Sequence, residues 1–127
     1  MAVLSAQELK NIIDTYEFPL IDFEQAWEIV ERGIRYYTNP KNVDFTEDGI
    51  RLSVSFDMRA YSVSAEVINK VIENLISLGY SIKTPPRDIG MFIIIDMLIP
   101  NTITEGASSN KFAGIIEEIL EGIKNKR

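Results

Sequence analysis

Asp96 is the residue whose setting most suggests chemistry. It interrupts Met91–Ile99, a stretch that is otherwise wholly apolar. A carboxylate in such a stretch is costly to bury unless it is paired, and burial raises its pKa. Asp96 is then one of two things. It is either an acid-base group with a raised pKa or half of an ion pair, with Arg51 and Arg59 on a neighbouring strand as the expected partners. The ion pair is the plainer reading. A second set lies in Thr84-Pro85-Pro86-Arg87-Asp88-Ile89-Gly90, which reads as a stiff hairpin loop. Exposed there, Arg87 could hold an anionic ligand or a partner's carboxylate, and Asp88 sits beside it. The plainer alternative is a turn with capping charges.

Aromatic and acidic groups supply the remaining options. Tyr36 and Tyr37 could stack on bases or a sugar, but such platforms come interleaved with cations, and only Arg32, Arg35 and Lys41 are near. Asp22, Glu24 and Glu28, and later Glu105, Glu117, Glu118 and Glu121, include carboxylates four residues apart that could share a divalent ion. No Glu-x-x-His motif supports a di-metal site, and Asp22 and Glu24 equally suit a helix N-terminus.

The chain has no histidine and no cysteine. Cys-His nucleophiles, Ser-His-Asp triads, imidazole acid-base pairs and zinc sites with Cys or His ligands are thereby excluded. The carboxylates, lysines, tyrosines and hydroxyls that remain form no catalytic motif. The expectation is a protein that is not an enzyme and has no cofactor or metal.

Charge narrows the partners. The formal net charge is −6, and phosphate-backbone affinity comes from clustered Lys and Arg, so a nucleic-acid partner is not expected. The one basic cluster, Lys124, Lys126 and Arg127, suits a helix C-terminus. Met1–Leu4 has neither the basic nor the long apolar region of a leader, and Met91–Ile95 is too short to span a bilayer. A cytoplasmic protein without membrane contact is expected, or one incorporated in a virion if it is viral.

Hydrophobic periodicity places these residues on elements. Ser5 opens a helix with Leu9, Ile12, Ile13 and Tyr16 on one face, ended by Pro19. Asp22 and Gln25 form a capping box for a second helix carrying Phe23, Ala26, Trp27, Val30, Ile34 and Tyr37, which ends near Thr38 ahead of Pro40. The period then falls to two. Val43 and Phe45 predict a short strand, Asp48-Gly49 a hairpin turn, and Ile50, Leu52, Val54, Phe56 and Met58 a strand with one buried face. Ser62 or Ser64 caps a helix bearing Val67, Ile68, Val71, Ile72, Leu75 and Ile76, closed by Gly79. Tyr80–Thr84 and Met91–Ile99 read as strands. Phe112, Ile115, Ile116, Ile119, Leu120 and Ile123 make a final amphipathic helix.

The result is a single α+β domain over residues 1–127: an N-terminal helical pair (1–38), then a ββαββα sandwich (42–127). Its four-stranded antiparallel sheet is expected in the order 1-2-4-3, with helices packed on it. This is the connectivity of a ferredoxin-like sandwich with its last strand moved to the front. One sheet face then mixes Arg51, Ser53, Ser55, Asp57 and Arg59 with Phe92, Ile94, Asp96 and Leu98. Because a contiguous apolar patch is seldom left in water, the N-terminal helices or another chain should cover it.

The function expected from this is a non-catalytic protein-interaction or assembly module. A structural subunit such as a phage particle component fits, as does a small acidic chaperone or adaptor, bound to another protein or to itself as a homo-oligomer. The alternative is a small-molecule-binding regulatory domain with its pocket between the sheet and the N-terminal helices, near Trp27, Tyr37, Arg51, Arg59 and Asp96. Arg51, Arg59, Phe92, Asp96, Arg87, Asp88, Trp27 and Tyr37 are the residues expected to carry either function.

Overall fold

The computed structural model describes residues 2–107 and 109–126; Arg127 of the basic cluster lies outside them. Helix α1 spans Ala6–Thr15 and α2 spans Phe23–Arg35, followed by single 3-10 turns at Tyr36–Thr38 and Pro40–Asn42. Helix α3 is Ala65–Ser77 and α4 is Ala113–Lys126. The strands are β1 (Leu20–Ile21), β2 (Asp44–Thr46), β3 (Gly49–Asp57), β4 (Ser62–Val63), β5 (Arg87–Ile89) and β6 (Phe92–Pro100). The architecture is mixed α+β, with β2-β3-β6-β5 as one antiparallel sheet.

Local chemistry starts the helices where the sequence suggests. The Ser5 hydroxyl accepts from the Glu8 amide. Asp22 and Gln25 form a complete reciprocal box, with bonds of 2.8 and 3.0 Å, satisfying two amides that α2 cannot pair internally. Ser64, not Ser62, caps α3 by accepting from Val67. In the first hairpin the turn residues are Glu47 and Asp48, and Gly49 opens β3 at φ +142°. A Cβ on Gly49 would lie 2.0 Å from the Ile99 carbonyl oxygen, so this register admits only glycine.

Strands β3 and β6 form the centre of the sheet, paired from Gly49↔Pro100 to Asp57↔Phe92. Leu52, Val54, Phe56 and Met58 of the β3 row, with Ile93, Ile95 and Met97 of β6, are buried beneath Ile68, Val71, Ile72 and Leu75 of α3 and Ile116 and Ile123 of α4. At about 1.5–3 kcal/mol for each large apolar side chain buried, this one layer dominates the stability of the fold.

The structure departs from the expected elements in three places. Tyr80–Thr84 is not a strand and makes only an isolated bridge, Ser81 to Leu98. The strand beside β6 is instead Arg87–Ile89, inside the stretch read as a loop. The two prolines before it stop any longer ladder, but Arg87-Asp88-Ile89 has free amides and a tight turn at Gly90 (φ +65°) that folds it straight back. A two-residue parallel pair, Leu20↔Ser62 and Ile21↔Val63, also ties the entrance of α2 to the entrance of α3; it is too short to leave a periodic signal. Finally, α2 does not cross to the mixed sheet face. It packs on the same face as α3: Ala26 and Val30 join the common core, and a Cβ on Gly33 would lie 3.0 Å from Val54 Cγ1.

Candidate functional site

The residues singled out in the sequence divide between the two faces of the sheet. Trp27 and Tyr37 belong to the helix side. Trp27 is half-buried and stacks on Phe23 with ring centroids 5.9 Å apart. The Tyr37 hydroxyl accepts from the Ser53 amide (3.0 Å) and donates to the Ser53 carbonyl (3.1 Å). Because β2 pairs only with the first residues of β3, the rest of that edge lacks a strand neighbour, and Tyr37 closes part of it. Tyr61 does the same further along, accepting from the Asp57 amide at 2.9 Å. Burial pushes the Tyr61 phenol above its ordinary value, with the Asp57 carboxylate adding to the shift. Both tyrosines are edge devices that hide a template for strand pairing, and no periodicity rule would find them.

Arg51, Arg59, Phe92, Asp96 and Arg87 share the outer face. Asp96 is paired, but to neither expected arginine. Its partner is Arg87 on β5, in a bidentate contact of 2.5 Å (Nε–Oδ2) and 3.0 Å (Nη2–Oδ1). The reason is the misplaced third strand. With β5 at Arg87–Ile89, Arg87 stands opposite Ile94, one step along the same face from Asp96. Arg59 instead grips Asp57 through two bonds of 3.0 and 3.1 Å, and its guanidinium carbon lies 4.7 Å from the centre of the Phe92 ring. The Arg59 guanidinium holds the Asp57 carboxyl below its usual value, and Asp96 pushes the Arg87 guanidinium further up. Half-exposed pairs such as these add little stability. Their effect here is cover: arginine stems and a stacked guanidinium shield Phe92 and Ile94 from water, in place of the N-terminal helices expected on that face.

Asp88 faces the other way. It lies opposite the buried Ile93 and binds Lys126 of α4 at 2.6 Å, which also donates to the Gly90 carbonyl. It therefore clamps the last helix to the β5–β6 hairpin and is not an exposed companion of Arg87. One of its oxygens, Oδ1, is buried without a partner among the described residues.

Two of the open places adjoin residues discussed above or the N-terminal helix. On the outer face a cavity of about 340 Å³ is lined by Thr46, Asp48, Arg51, Ser81, Lys83 and Asp96, among others; among the described residues neither Arg51 nor Lys83 has a carboxylate within 4.0 Å. A larger cavity of about 720 Å³ lies between the end of α1 and α4. Beside it α1 is bare. It buries no residue; Leu9, Ile12, Ile13 and Tyr16 are 48–61% exposed, and among the described residues its hydrogen bonds and ion pair stay within residues 5–16. The apolar stripe is plain in the sequence; that it would be left uncovered is not.

No described helix is long and apolar enough to cross a membrane, and no cluster of three or more acidic side chains among the described residues is placed to hold a metal ion. No protein-family model matches the chain, no curated protein matches it, and no solved structure matches it.

Proposed function

We propose that this chain is a non-catalytic interaction or assembly module: a structural subunit of a larger particle, such as a phage component, or a small acidic chaperone or adaptor. One observation carries this reading. A well-capped amphipathic helix, α1, buries none of its apolar stripe, whose residues stay about half exposed, and an amphipathic helix gains its stability mainly from burying that stripe. The chain must therefore bury it against something other than its own core. We read the body that presents α1 as a ferredoxin-like sandwich with a relocated strand, which sets geometry and not function. The test is purification from the native source at low and high salt, comparing wild type with Ile12→Asp/Ile13→Asp. A stoichiometric associate, self or other, that the variant loses supports the reading. A chain that stays alone in both forms overturns it.

A second reading, a small-molecule-binding domain, is favoured by the outer cavity, where Arg51 and Lys83 have no carboxylate partner among the described residues. It places the ligand on the face opposite the N-terminal helices. Thermal shift with small phosphates and carboxylates tests it, with Arg51→Ala as the variant that loses any response.

A further inference from the structure

The β5 side of β6 carries a gap in its ladder. Arg87 stands opposite Ile94 at the end of β5, and Ser81 bridges Leu98 further along. Between those anchors β6 has residues 95–97, while the chain beside it has residues 82–86, with Pro85 and Pro86 among them. The longer segment cannot keep register with the shorter one, and its prolines have no amide hydrogen to donate. Among the described residues Asp96 has no ladder partner on this edge.

The Asp96 amide nevertheless points there. Ser81 and Leu98 exchange both backbone bonds, at 2.8 and 2.9 Å, so Leu98 and, two residues earlier, Asp96 turn their amides and carbonyls to this edge. The opposite side agrees. Ser53, which pairs with Asp96 across the sheet, engages Tyr37 with both its amide and its carbonyl. The outer cavity of about 340 Å³ lies at the gap, lined from β6 by Asp96 and Leu98 and from the looser segment by Ser81 and Lys83.

Charge and shape define what fits. Arg51, across β6 from Ser81, and Lys83 bring two cations to the cavity, neither with a carboxylate within 4.0 Å among the described residues. Asp96 is neutralised by Arg87, and Asp48 supplies the other negative charge of the lining. The site is therefore one negative charge short. A carboxylate closes that balance. A phosphate ester, with close to two charges at neutral pH, overshoots it, and the net charge of −6 on the chain opposes the surplus. An arginine fork matches a carboxylate with two parallel bonds, and the open Asp96 amide adds a donor. Leu98 is buried yet lies outside the common core, so it gives the cavity an apolar floor. The volume is at the small end of ligand pockets.

We propose that this cavity binds a small monocarboxylate, its carboxylate held by Arg51, Lys83 and the Asp96 amide and its apolar body laid on Leu98. This rests on the small-molecule reading, whose ligand it names, and is independent of the assembly reading. The test is an amide NMR titration of isotope-labelled protein at constant ionic strength. The probes are benzoate, benzamide as its neutral counterpart and phenyl phosphate as a dianion. Benzoate is expected to move the Asp96 amide to lower field saturably, together with Lys83, and to bind more tightly than either counterpart. Arg51 is exposed, so Arg51→Ala should keep the dispersed spectrum of a folded chain while weakening benzoate at least about tenfold. Arg51→Lys, which keeps the charge but not the fork, should recover only part of that loss. Benzoate that leaves the Asp96 amide unmoved, or that binds Arg51→Ala as well as wild type, overturns the proposal. Benzamide or phenyl phosphate saturating the same amides more tightly than benzoate overturns the carboxylate and leaves the small-molecule reading standing. If none of the three moves them, both fall.

Discussion

Helices α1 and α2 begin alike and end differently. Both have side-chain N-caps, both are amphipathic, and they are separated by seven residues. Yet α2 buries Ala26 and Val30 completely, while α1 buries nothing. The difference lies in the segment that leaves each helix. The chain leaving α2 returns through Tyr37 to the β3 edge, and a glycine at position 33 lets the helix come within contact of Val54. Between α1 and the body there is the short Tyr16–Pro19 segment, and among the described residues the hydrogen bonds made by α1 side chains stay on its own side of it. An apolar stripe states that a face is to be covered; close approach and tethering decide whether the same chain covers it.

The largest effect is expected from placing a charge in the stripe of α2. Val30→Asp forfeits roughly 1.5–3 kcal/mol of burial and adds about 1–3 kcal/mol for an unpaired polar group, enough to unfold a marginal domain at room temperature. A variant that melts normally would mean that α2 is not part of the core. Tyr37→Phe comes next. It removes one acceptor and one donor from Ser53, at about 0.5–1.5 kcal/mol for each bond, and a urea titration should show the midpoint falling with little change in slope.

A smaller, pH-dependent effect is expected at Tyr61, which lines a hollow beside α2 with Gln25, Ile29 and Arg32. Its folded pKa is raised, so its contribution is fully present below the unfolded phenol value near 10 and is lost as pH rises through the higher folded value. Melts between about pH 9 and 12 should fall more steeply for wild type than for Tyr61→Phe; parallel curves would show that Tyr61 ionisation is not linked to folding. The smallest effect is predicted for the counterpart of Val30→Asp on α1. Ile12→Asp should move monomer stability by no more than about 0.5 kcal/mol, measured by chemical denaturation under dilute conditions. A loss as large as that at Val30 would show that α1 packs on its own chain, and the contrast would collapse.

Much of this could be read from the residues. The caps at Ser5 and Asp22, the alternation through Ile50–Met58 and the apolar rows of α3 and α4 are local patterns, and local patterns answer to local rules. The third strand could not be read this way. Arg87-Asp88-Ile89 has no alternating apolar signal, and it becomes a strand because β6 offers an open edge next to the Gly90 turn. The partner of Asp96 depended on that strand, so the ion pair was legible as a need but assigned to the wrong arginine. The tyrosine edge caps were not legible at all, because they join residues 16 apart in one case through a hydroxyl and a backbone that no pattern links.

By itself the sequence determined what chemistry is absent, since no fold can supply an imidazole or a thiol that the chain lacks, and which faces of which segments are apolar, since side-chain period is a property of the backbone geometry. Only the tertiary structure decided which of those faces meet. That choice depends on strand register, on the clearance at Gly33 and Gly49, and on which arginine reaches Asp96, all of them set by distances between residues far apart in the chain. It also decided that α2 would be core and α1 would remain uncovered, because burial of a stripe requires a surface within reach of its tether.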